Sequence, residues 1–386
     1  MKKINRVILF LATKFNYRDY KRFGFDIIQR RGYKVEAWDF TDWYKPEYSK
    51  TYTPPDPFEF SGLRKINTIN EAKELYLTLT EKDAVLDPFN LRSIIQPGRL
   101  NGCHFGSMLL GLLPAPQRKP ADYLKKVLLN PRRSANYFRK KFFSINIDKT
   151  PLNFLITGGQ AAEKDNRYTI NKNTVLIKAH ALDYDRYLKQ EANDDSEFKN
   201  NGKYAVFLDE DMCFHPDYKY LGIEPYCSAK KYYPDLNQFF KHFENETGLN
   251  IIIAAHPRTD YGKRGNPFND REIIADRTVE LVKYSSLVLA HMSTSINFAV
   301  LYNKPVILLD SIKYETVLRN YISGRSSALN LTVINISKKW TDGFNKIVVD
   351  KKIYKEYKKQ YIKEPGTPKK FVWEIFCDYL DGNQHT

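Results

Sequence analysis

Short apolar runs and amphipathic stretches alternate along the first sixty residues. The run Val7–Ala12 predicts a buried parallel strand, and the spacing of apolar residues over Tyr20–Arg31 predicts a helix that ends at a glycine. Tyr33–Phe40 alternates between apolar and polar residues, which predicts a second strand. This order of elements is typical of a parallel sheet. The stretch 41–60, rich in proline and tyrosine, predicts a loop.

The second half of the chain repeats the alternation of strands and helices. Each predicted strand is a short apolar run, and each predicted helix carries an apolar face. The predicted strands are Tyr204–Leu208, Asn250–Ala255, Leu287–Ala290, Pro305–Leu309 and Leu331–Ile334, and the predicted helices are Tyr232–Glu244, Thr278–Tyr284 and Ser295–Tyr302.

These patterns predict an α/β protein with two Rossmann-like domains that face a central cleft. The polar stretch 193–202 predicts the linker between them. We expect a first domain at 1–195, a second at 200–365 and a C-terminal segment at 366–386, in which Lys370–Leu380 forms an amphipathic helix.

Composition narrows the class of protein. The chain has 386 residues, of which 42% are hydrophobic and 27% charged, and this excludes a disordered protein. Its four cysteines form no CxxC pair, which argues against a zinc knuckle and fits a reducing compartment. Because no stretch approaches about 18 apolar residues, we expect a cytoplasmic protein.

The net charge of +16 favours an anionic partner. Within 114–143, nine basic residues face one acid, Asp122, with apolar residues between them. Such a stretch fits peripheral contact with the anionic inner face of the cytoplasmic membrane, and it equally fits a solvated helical hairpin. A nucleic-acid-binding protein is suggested only by the charge, because no nucleic-acid-binding motif is present, and we expect no such partner.

Several catalytic signatures are missing from the sequence. It contains no GxxxxGK[ST] loop, no strand–GxGxxG–helix element, no HExxH and no GxSxG. A P-loop nucleotidase, a dinucleotide-dependent dehydrogenase, a zincin and a nucleophile-elbow hydrolase are therefore poorly supported.

Three acids follow the predicted strand Tyr204–Leu208. Asp209, Glu210 and Asp211 would lie at its carboxyl end, where ligands bind in open parallel sheets. Neighbouring carboxylates shift one another's pKa and can supply a general base or a nucleophile. The alternative is a solvated strand cap without catalytic function.

A second polar cluster, His256, Pro257 and Arg258, follows the predicted strand Asn250–Ala255. The proline prevents the strand from continuing. The histidine and the arginine can both donate to a phosphate, although a lone histidine here would more often be structural.

The third cluster, Ser293, Thr294 and Ser295, lies between a predicted strand and a predicted helix. Hydroxyls and backbone N–H groups at the start of a helix can bind an anion, and they can equally serve as a plain N-cap.

Together the three clusters resemble the motifs of GT-B glycosyltransferases that use CMP-activated keto-sugar acids. The segments 204–217, 251–258 and 288–309 look like the β-Kdo transferases of lipopolysaccharide and capsule assembly and, more distantly, bacterial sialyltransferases. The resemblance covers mainly the second half. Met212 stands where the sialyltransferase motif has glycine, which argues against sialic acid itself.

The resemblance implies a GT-B fold whose second domain binds the donor and whose last helix returns to the acceptor-side first domain. It implies that His256 and the residues Ser293, Thr294 and Ser295 contact the CMP phosphate and that no metal or other cofactor is required. Asp209 would be the nucleophile of a retaining transfer of Kdo or a related nonulosonic acid to a bacterial surface glycan, free or lipid-linked. Glu210 or Asp211 could act instead.

Two other hypotheses for the function stay open. One is an inverting, sialyltransferase-like enzyme with the aspartate as general base, and the other is a non-catalytic nucleotide- or polysaccharide-binding protein on the same scaffold.

Further residues are weaker candidates. Glu280 could bind the ribose hydroxyls of the nucleotide, although a glutamate on a helix surface is the simpler interpretation. The remaining candidates for an acceptor contact or a direct role near the motifs are His180, Asp183, Asp185, His215, Asp217 and His291.

Overall fold

A computed structural model describes residues 3–54, 56–95, 102–114, 150–193, 197–200, 203–338, 340, 343–344 and 347–383. The chain divides into two compact units between Ala179 and His180, and the short segment Gly111–Pro116 also belongs to the second unit. The second unit runs to Gly366, and the residues from Thr367 onward rejoin the first. The predicted basic stretch lies almost entirely outside the described residues, and so does part of the predicted linker, whose described part falls within the second unit.

Among the described residues, the first unit contains a sheet of seven parallel strands in the order β3-β2-β1-β4-β5-β6-β7. Its central strands are almost fully buried, because a parallel sheet is covered by helices on both faces. The strands are β1 Arg6–Leu11, β2 Lys34–Asp39, β3 Leu63–Lys65, β4 Asp83–Leu86, β5 His104–Leu109, β6 Phe154–Thr157 and β7 Val175–Lys178.

The helices of the first unit are mostly short. The predicted helix over Tyr20–Arg31 is two helices, because Gly24 takes a left-handed φ of 62° between them. The loop predicted over 41–60 is wrong in part, since two further helices form there. The helices are α1 Tyr17–Arg22, α2 Phe25–Arg30, α3 Thr41–Tyr44, α4 Pro46–Thr51, α5 Ile69–Leu77 and α6 Arg92–Ile95, with a 3-10 helix at Gln160–Lys164.

The C-terminal helix packs on the first unit, as predicted. The indole N–H of Trp373 donates to the carbonyl of Arg22 at 2.9 Å, and Tyr379 Oη lies 2.6 Å from His104 Nε2. A guanidinium–carboxylate pair at 2.9 Å joins Arg31 to Asp378. These contacts anchor the end of the chain to the strands and helices formed at its beginning.

In the described part of the second unit, six parallel strands form a sheet in the order β10-β9-β8-β11-β12-β13. Five of them match predicted strands closely, and the helices predicted over Tyr232–Glu244, Thr278–Tyr284 and Ser295–Tyr302 lie near those bounds, whereas the other helices of this unit were not predicted. The strands are β8 Tyr204–Leu208, β9 Asn250–Ala254, β10 Ile273–Ile274, β11 Leu287–Ala290, β12 Val306–Asp310 and β13 Thr332–Asn335.

The helices of the second unit cover this sheet and build its core. Phe207 on β8 packs against Phe240 and Phe268 with ring centroids 5.1 and 6.2 Å apart. The α-helices are α7 Leu182–Ala192, α8 Asp217–Leu221, α9 Ala229–Thr247, α10 Tyr261–Arg264, α11 Thr278–Tyr284, α12 Ile296–Leu301, α13 Thr316–Leu329 and α14 Lys351–Tyr357, and the last helix of the chain, α15 Val372–Leu380, belongs to the first unit.

Candidate functional site

The three polar clusters follow three neighbouring strands of the second sheet. β8 pairs in parallel with β9 on one side and with β11 on the other, and Leu208 is in register with both Ala254 and Ala290. The residues that follow these three positions therefore leave the sheet at one level of its carboxyl edge.

Asp209 connects the loop after β8 with the loop after β9. Its Oδ1 accepts the N–H of Asp211 at 3.0 Å, and its Oδ2 accepts the hydroxyl of Tyr261 at 2.7 Å and the N–H of His256 at 3.4 Å. Because the side chain is 5% exposed, burial raises its pKa to about 6. Both oxygens of Asp209 thus hold neighbouring groups in place.

Glu210 connects the loop after β8 with the loop after β11. Its Oε2 accepts the backbone N–H of Met292 at 2.8 Å. Burial raises the pKa of the Glu210 carboxyl to about 7, against the opposing effects of the Met292 N–H and of the Arg325 guanidinium. Unlike its two acidic neighbours, Glu210 is partly exposed. A carboxyl group with this pKa can take up or release a proton near neutral pH.

Asp211 is the anchor of an ion pair. Arg264 donates from Nη2 to Oδ1 at 2.6 Å and from Nη1 to Oδ2 at 3.1 Å, and the Thr259 hydroxyl donates to Oδ2 at 2.8 Å. Asp211 is 2% exposed, and its left-handed φ of 48° turns the chain sharply after β8. These contacts hold the loop after β8 in place, and a catalytic role of Asp211 stays a prediction.

The cluster after β9 includes two residues from the loop after β8. The Nε2 atoms of His215 and His256 lie 3.3 Å apart. Arg258 Nη2 lies 3.4 Å from His215 Nε2 and donates to Asp217 Oδ1 at 2.7 Å. The predicted pair of His256 and Arg258 is thereby extended to four side chains, while the intervening Pro257 is exposed on the turn between them.

The hydroxyl cluster begins two residues after His291, with Met292 between them. Ser293 Oγ accepts the N–H of Ser295 at 3.2 Å, and α12 starts one residue later. Thr294 is exposed, and the two serines are partly exposed. Ser293 thus stabilises the turn before α12, whereas the N-cap residue of the helix is Ser295, which makes no side-chain capping hydrogen bond. The phosphate contact of the three residues stays a prediction.

His291 is a structural residue of the core. It is fully buried, accepts the hydroxyl of Tyr232 at Nε2 over 2.9 Å, and lies 2.7 Å from the carbonyl of Leu309 at Nδ1. Since a carbonyl only accepts, the ring carries its proton on Nδ1. Burial lowers the pKa of His291 to about 4. The ring is therefore neutral at physiological pH.

Glu280 pairs with an arginine at the start of its own helix. Arg277 donates to both carboxylate oxygens at 2.7 Å, and Glu280 is 8% exposed. Its contact with a ribose stays a prediction.

The acceptor candidates that follow β7 make polar contacts within the second unit. His180 is fully buried, with Nδ1 lying 3.1 Å from the carbonyl of Ala181 and Nε2 lying 3.6 Å from Asp185. Asp183 accepts the side-chain N–H of Asn297 at 2.9 Å. An acceptor contact by any of these residues stays a prediction.

Sequence reasoning missed Tyr261 and Arg264, which hold Asp209 and Asp211. Both lie on α10, a helix of four residues whose start is capped by Asp260. An Asp followed by a short polar turn was the available signal, but it does not reveal that the turn folds back onto the acids.

No group of three or more His, Cys, Asp and Glu residues able to hold a metal ion occurs in the part of the chain that the structure describes. Within the same part, none of the helices combines the length and the apolar composition needed to cross a bilayer.

The fold has relatives among solved structures. A histidine-to-asparagine variant of the wall teichoic acid polymerase TagF matches with a TM-score of 0.53 and 13% identity, covering 98% of this chain and 88% of that chain. A TagF structure soaked with CDPG matches at 0.51 and 11%, with the same coverage. MurG of Acinetobacter baumannii matches at 0.47 and 8%, covering 98% of this chain and 99% of that chain.

No model of a protein family matches the chain, and no curated protein matches its sequence. The two parallel sheets and the nearly complete coverage in the TagF comparisons confirm the predicted GT-B glycosyltransferase fold. At these identities the likeness concerns the fold alone.

Proposed function

We propose that the protein is a glycosyltransferase that moves Kdo or a related nonulosonic acid from its CMP-activated donor to a bacterial surface glycan. One observation carries this proposal. Asp209 accepts the N–H of His256, and Glu210 accepts the N–H of Met292. The two acids are thereby connected to the loops after β9 and β11, which carry the candidate phosphate-binding residues. The acids and the residues that could donate hydrogen bonds to a phosphate thus lie together at the sheet edge where open α/β folds bind ligands.

The side chains that could donate hydrogen bonds to a phosphate are suited to the leaving group of a sugar nucleotide. When the glycosidic bond of the donor breaks, negative charge grows on the phosphate of CMP. Side-chain N–H groups of His256 and Arg258 and the hydroxyls after β11 can stabilise that charge. In this proposal these protein groups stabilise the negative charge of the departing phosphate, and no metal or other cofactor takes part.

Glu210 is the acid that we assign to the proton transfer. Asp209 and Asp211 have both oxygens engaged in contacts that hold the loops, whereas Glu210 is partly exposed. Its pKa of about 7 is matched to a general base at neutral pH. Asp209 then acts as a positioning residue that fixes Tyr261 and the backbone of His256.

The proposed transfer breaks one bond of the donor and forms one bond to the acceptor. The bond between the anomeric carbon and the phosphate oxygen breaks, and CMP leaves with the electron pair. The acceptor hydroxyl forms the new glycosidic bond and passes its proton to Glu210. A single displacement of this kind inverts the anomeric configuration. A nucleophilic Asp209 would instead form a covalent sugar–enzyme intermediate and retain the configuration.

The acceptor is proposed to be a bacterial surface glycan, free or lipid-linked, and contact with an anionic membrane would come from the basic stretch 114–143. The net charge of +16 supports such a contact. Reversing the charges of Lys125, Lys126, Arg132 and Arg133 should reduce binding to anionic vesicles and leave turnover of a soluble acceptor near normal. Unchanged vesicle binding would contradict the assignment.

The testing experiment measures CMP release and product formation with CMP-Kdo and other CMP-nonulosonates, with UDP- and GDP-sugars as controls. We expect turnover with a CMP donor alone, and an activity loss of at least a hundredfold in Glu210→Gln. The anomeric configuration of the product and the intact-protein mass after incubation with donor, in wild type and in Asp209→Asn, separate the two mechanisms.

An inverted product without a protein adduct supports Glu210 as base. A retained product with a sugar-sized adduct on Asp209 supports the nucleophile. CMP binding without turnover of any donor would instead indicate a non-catalytic nucleotide-binding protein.

A further inference from the structure

Two cysteines of the second unit lie next to each other, although 14 positions separate them in the chain. The Sγ atoms of Cys213 and Cys227 are 3.6 Å apart, and both residues are free thiols. Cys213 lies on the loop after β8, and Cys227 lies shortly before α9. Cys227 Sγ also lies 3.8 Å from the carbonyl oxygen of Met212, so that it faces the loop after β8 through two contacts.

The two sulfur atoms lie close enough for a covalent bond to form after a small movement. A disulfide has an S–S length of about 2.05 Å, so the atoms would have to approach each other by about 1.5 Å. The segment before α9 can supply this movement, because residues 222–228 form neither helix nor strand and residues 221–225 are exposed. Cys213 itself lies in a turn.

The two thiols differ in their access to a reagent in solution. Cys213 is 4% exposed, whereas Cys227 is partly exposed. The hydrogen bond with the Cys227 thiol and, in addition, burial raise the pKa of the Cys213 thiol. Because the thiolate is the nucleophile in thiol chemistry, Cys213 is poorly suited to react first. We therefore assign the first step to Cys227.

We propose that Cys213 and Cys227 are a redox modification site, at which a low-molecular-weight disulfide oxidises the two thiols to an intramolecular disulfide. The Cys227 thiolate attacks one sulfur of the oxidant, so that a mixed disulfide forms and one thiolate leaves. Cys213 then loses its proton and attacks the sulfur of Cys227, and the second thiolate leaves. Two electrons and two protons pass to the oxidant, which becomes two thiols.

The disulfide would close the segment 213–227 into a covalent loop. This segment carries His215, whose Nε2 lies 3.3 Å from that of His256, and Asp217, which accepts from Arg258 at 2.7 Å. Oxidation would therefore restrict a part of the chain that contacts the cluster after β9. In a reducing compartment, a disulfide of this kind is transient and senses the redox state.

A metal site is the other chemistry that two adjacent thiols suggest. A structural zinc ion usually takes four ligands from cysteine, histidine and carboxylate side chains. In the described part of the chain, no third residue of these types joins the two cysteines in a group that could hold a metal ion. The pair is therefore better suited to disulfide formation.

The first arm of the test exposes the reduced full chain to mixtures of reduced and oxidised glutathione and then blocks the remaining thiols. Mass spectrometry of the intact protein and of its peptides identifies the product. We expect a loss of two hydrogen atoms and one peptide pair joined through Cys213 and Cys227, and dithiothreitol should restore both thiols. Two thiols that stay free in oxidised glutathione, or a bond from Cys227 to Cys103 or Cys377, would overturn the inference.

The second arm tests the order of the two steps with single variants. Cys213→Ser should stop at the mixed disulfide and gain the mass of one glutathione on Cys227. Cys227→Ser, which changes the partly exposed residue, should gain glutathione at least about tenfold more slowly. Equal or faster addition in Cys227→Ser would overturn the assigned first step. Cys103→Ser is the matched control, because it changes a buried cysteine of the first unit and should leave the disulfide unaffected.

The third arm measures amide hydrogen exchange in the reduced and the oxidised wild-type protein. Oxidation should slow the exchange within residues 214–226 and leave that of strand β9 unchanged. Equal exchange in the two forms would overturn the restriction of this segment. None of the three arms uses a nucleotide or a sugar donor. A failure of the proposed function would therefore leave the inference intact, and the reverse also holds.

Discussion

Glu210 Oε2 accepts the backbone N–H of Met292 at 2.8 Å, although 82 positions separate the two residues in the chain. The contact joins the loop after β8 to the loop that carries the hydroxyl cluster. Glu210 is partly exposed, unlike Asp209 and Asp211, and the pKa of its carboxyl is raised to about 7.

The raised pKa of Glu210 predicts a pH-dependent effect of Glu210→Gln on stability. A carboxyl that titrates near 7 when folded and near 4.5 when unfolded binds its proton more tightly in the folded state. Ionisation therefore lowers the free energy of unfolding as pH rises from about 4.5 to 7. Glutamine does not ionise, so the variant should gain up to about 3 kcal/mol relative to wild type across this window.

Chemical denaturation at pH 5 and pH 8 checks this expectation. A difference between variant and wild type that is the same at both values would show that Glu210 titrates normally.

Asp211→Ala should destabilise the second unit by about 3 kcal/mol, because it leaves the partly buried guanidinium of Arg264 without its bidentate partner. Lys263→Ala is the matched control on the same helix, since its pair with Asp260 is exposed and should contribute little to stability. Equal losses in the two variants, measured by chemical denaturation, would contradict a structural role for Asp211.

His291→Asn should destabilise the protein at neutral pH, with a difference from wild type that narrows on acidification. The buried ring titrates near 4, whereas the unfolded one titrates near 6.5, so wild type loses up to about 3 kcal/mol between these values as pH falls. Asparagine can still donate to the Leu309 carbonyl but does not titrate. A constant difference from pH 7.5 to pH 4.5 would refute the neutral, buried histidine.

Gly24→Ala tests the docking of the C-terminal helix on the first unit. A Cβ atom at Gly24 would lie 2.1 Å from the indole of Trp373. Gly32→Ala is the matched control, because Gly32 also has positive φ but has no atom within 4 Å of an added Cβ. Gly24→Ala should lower stability by roughly 2 kcal/mol more than the control does. Equal effects would show that α15 does not pack against this turn.

The sequence predicted most of the second sheet because its strands are apolar runs bounded by polar turns. β8, β11 and the helix over Thr278–Tyr284 fall at the predicted bounds. Parallel pairing then places the residues after those strands at one edge, which is why the three clusters could be recognised.

Strand β5 shows why other elements were missed. It contains Gly106 and Ser107, which interrupt an apolar run. Gly106 lies against Phe154, where a Cβ atom would come within 2.4 Å of the ring, and the hydroxyl of Ser107 donates to the carbonyl of Asp87 at 2.8 Å. Both residues are explained by contacts with neighbouring strands, which a pattern along one segment does not contain.

The different contacts of the three acids could also not be predicted from the sequence. Three adjacent carboxylates look equivalent along the chain, but Arg264 and Tyr261 distinguish them only after α10 has folded back onto the loop. The sequence around His291 also does not reveal its hydrogen bond with the buried hydroxyl of Tyr232, which lies 59 positions away in the chain.

The central claim is that the second unit binds a CMP-activated donor through the loops after β8, β9 and β11. Calorimetric titration of wild type and His256→Ala with CMP, UMP, GMP and AMP tests it most directly. We predict that wild type prefers CMP and that the variant, still folded, binds CMP at least tenfold more weakly. Equal affinity for the four nucleotides, or unchanged CMP affinity in the variant, would contradict the account.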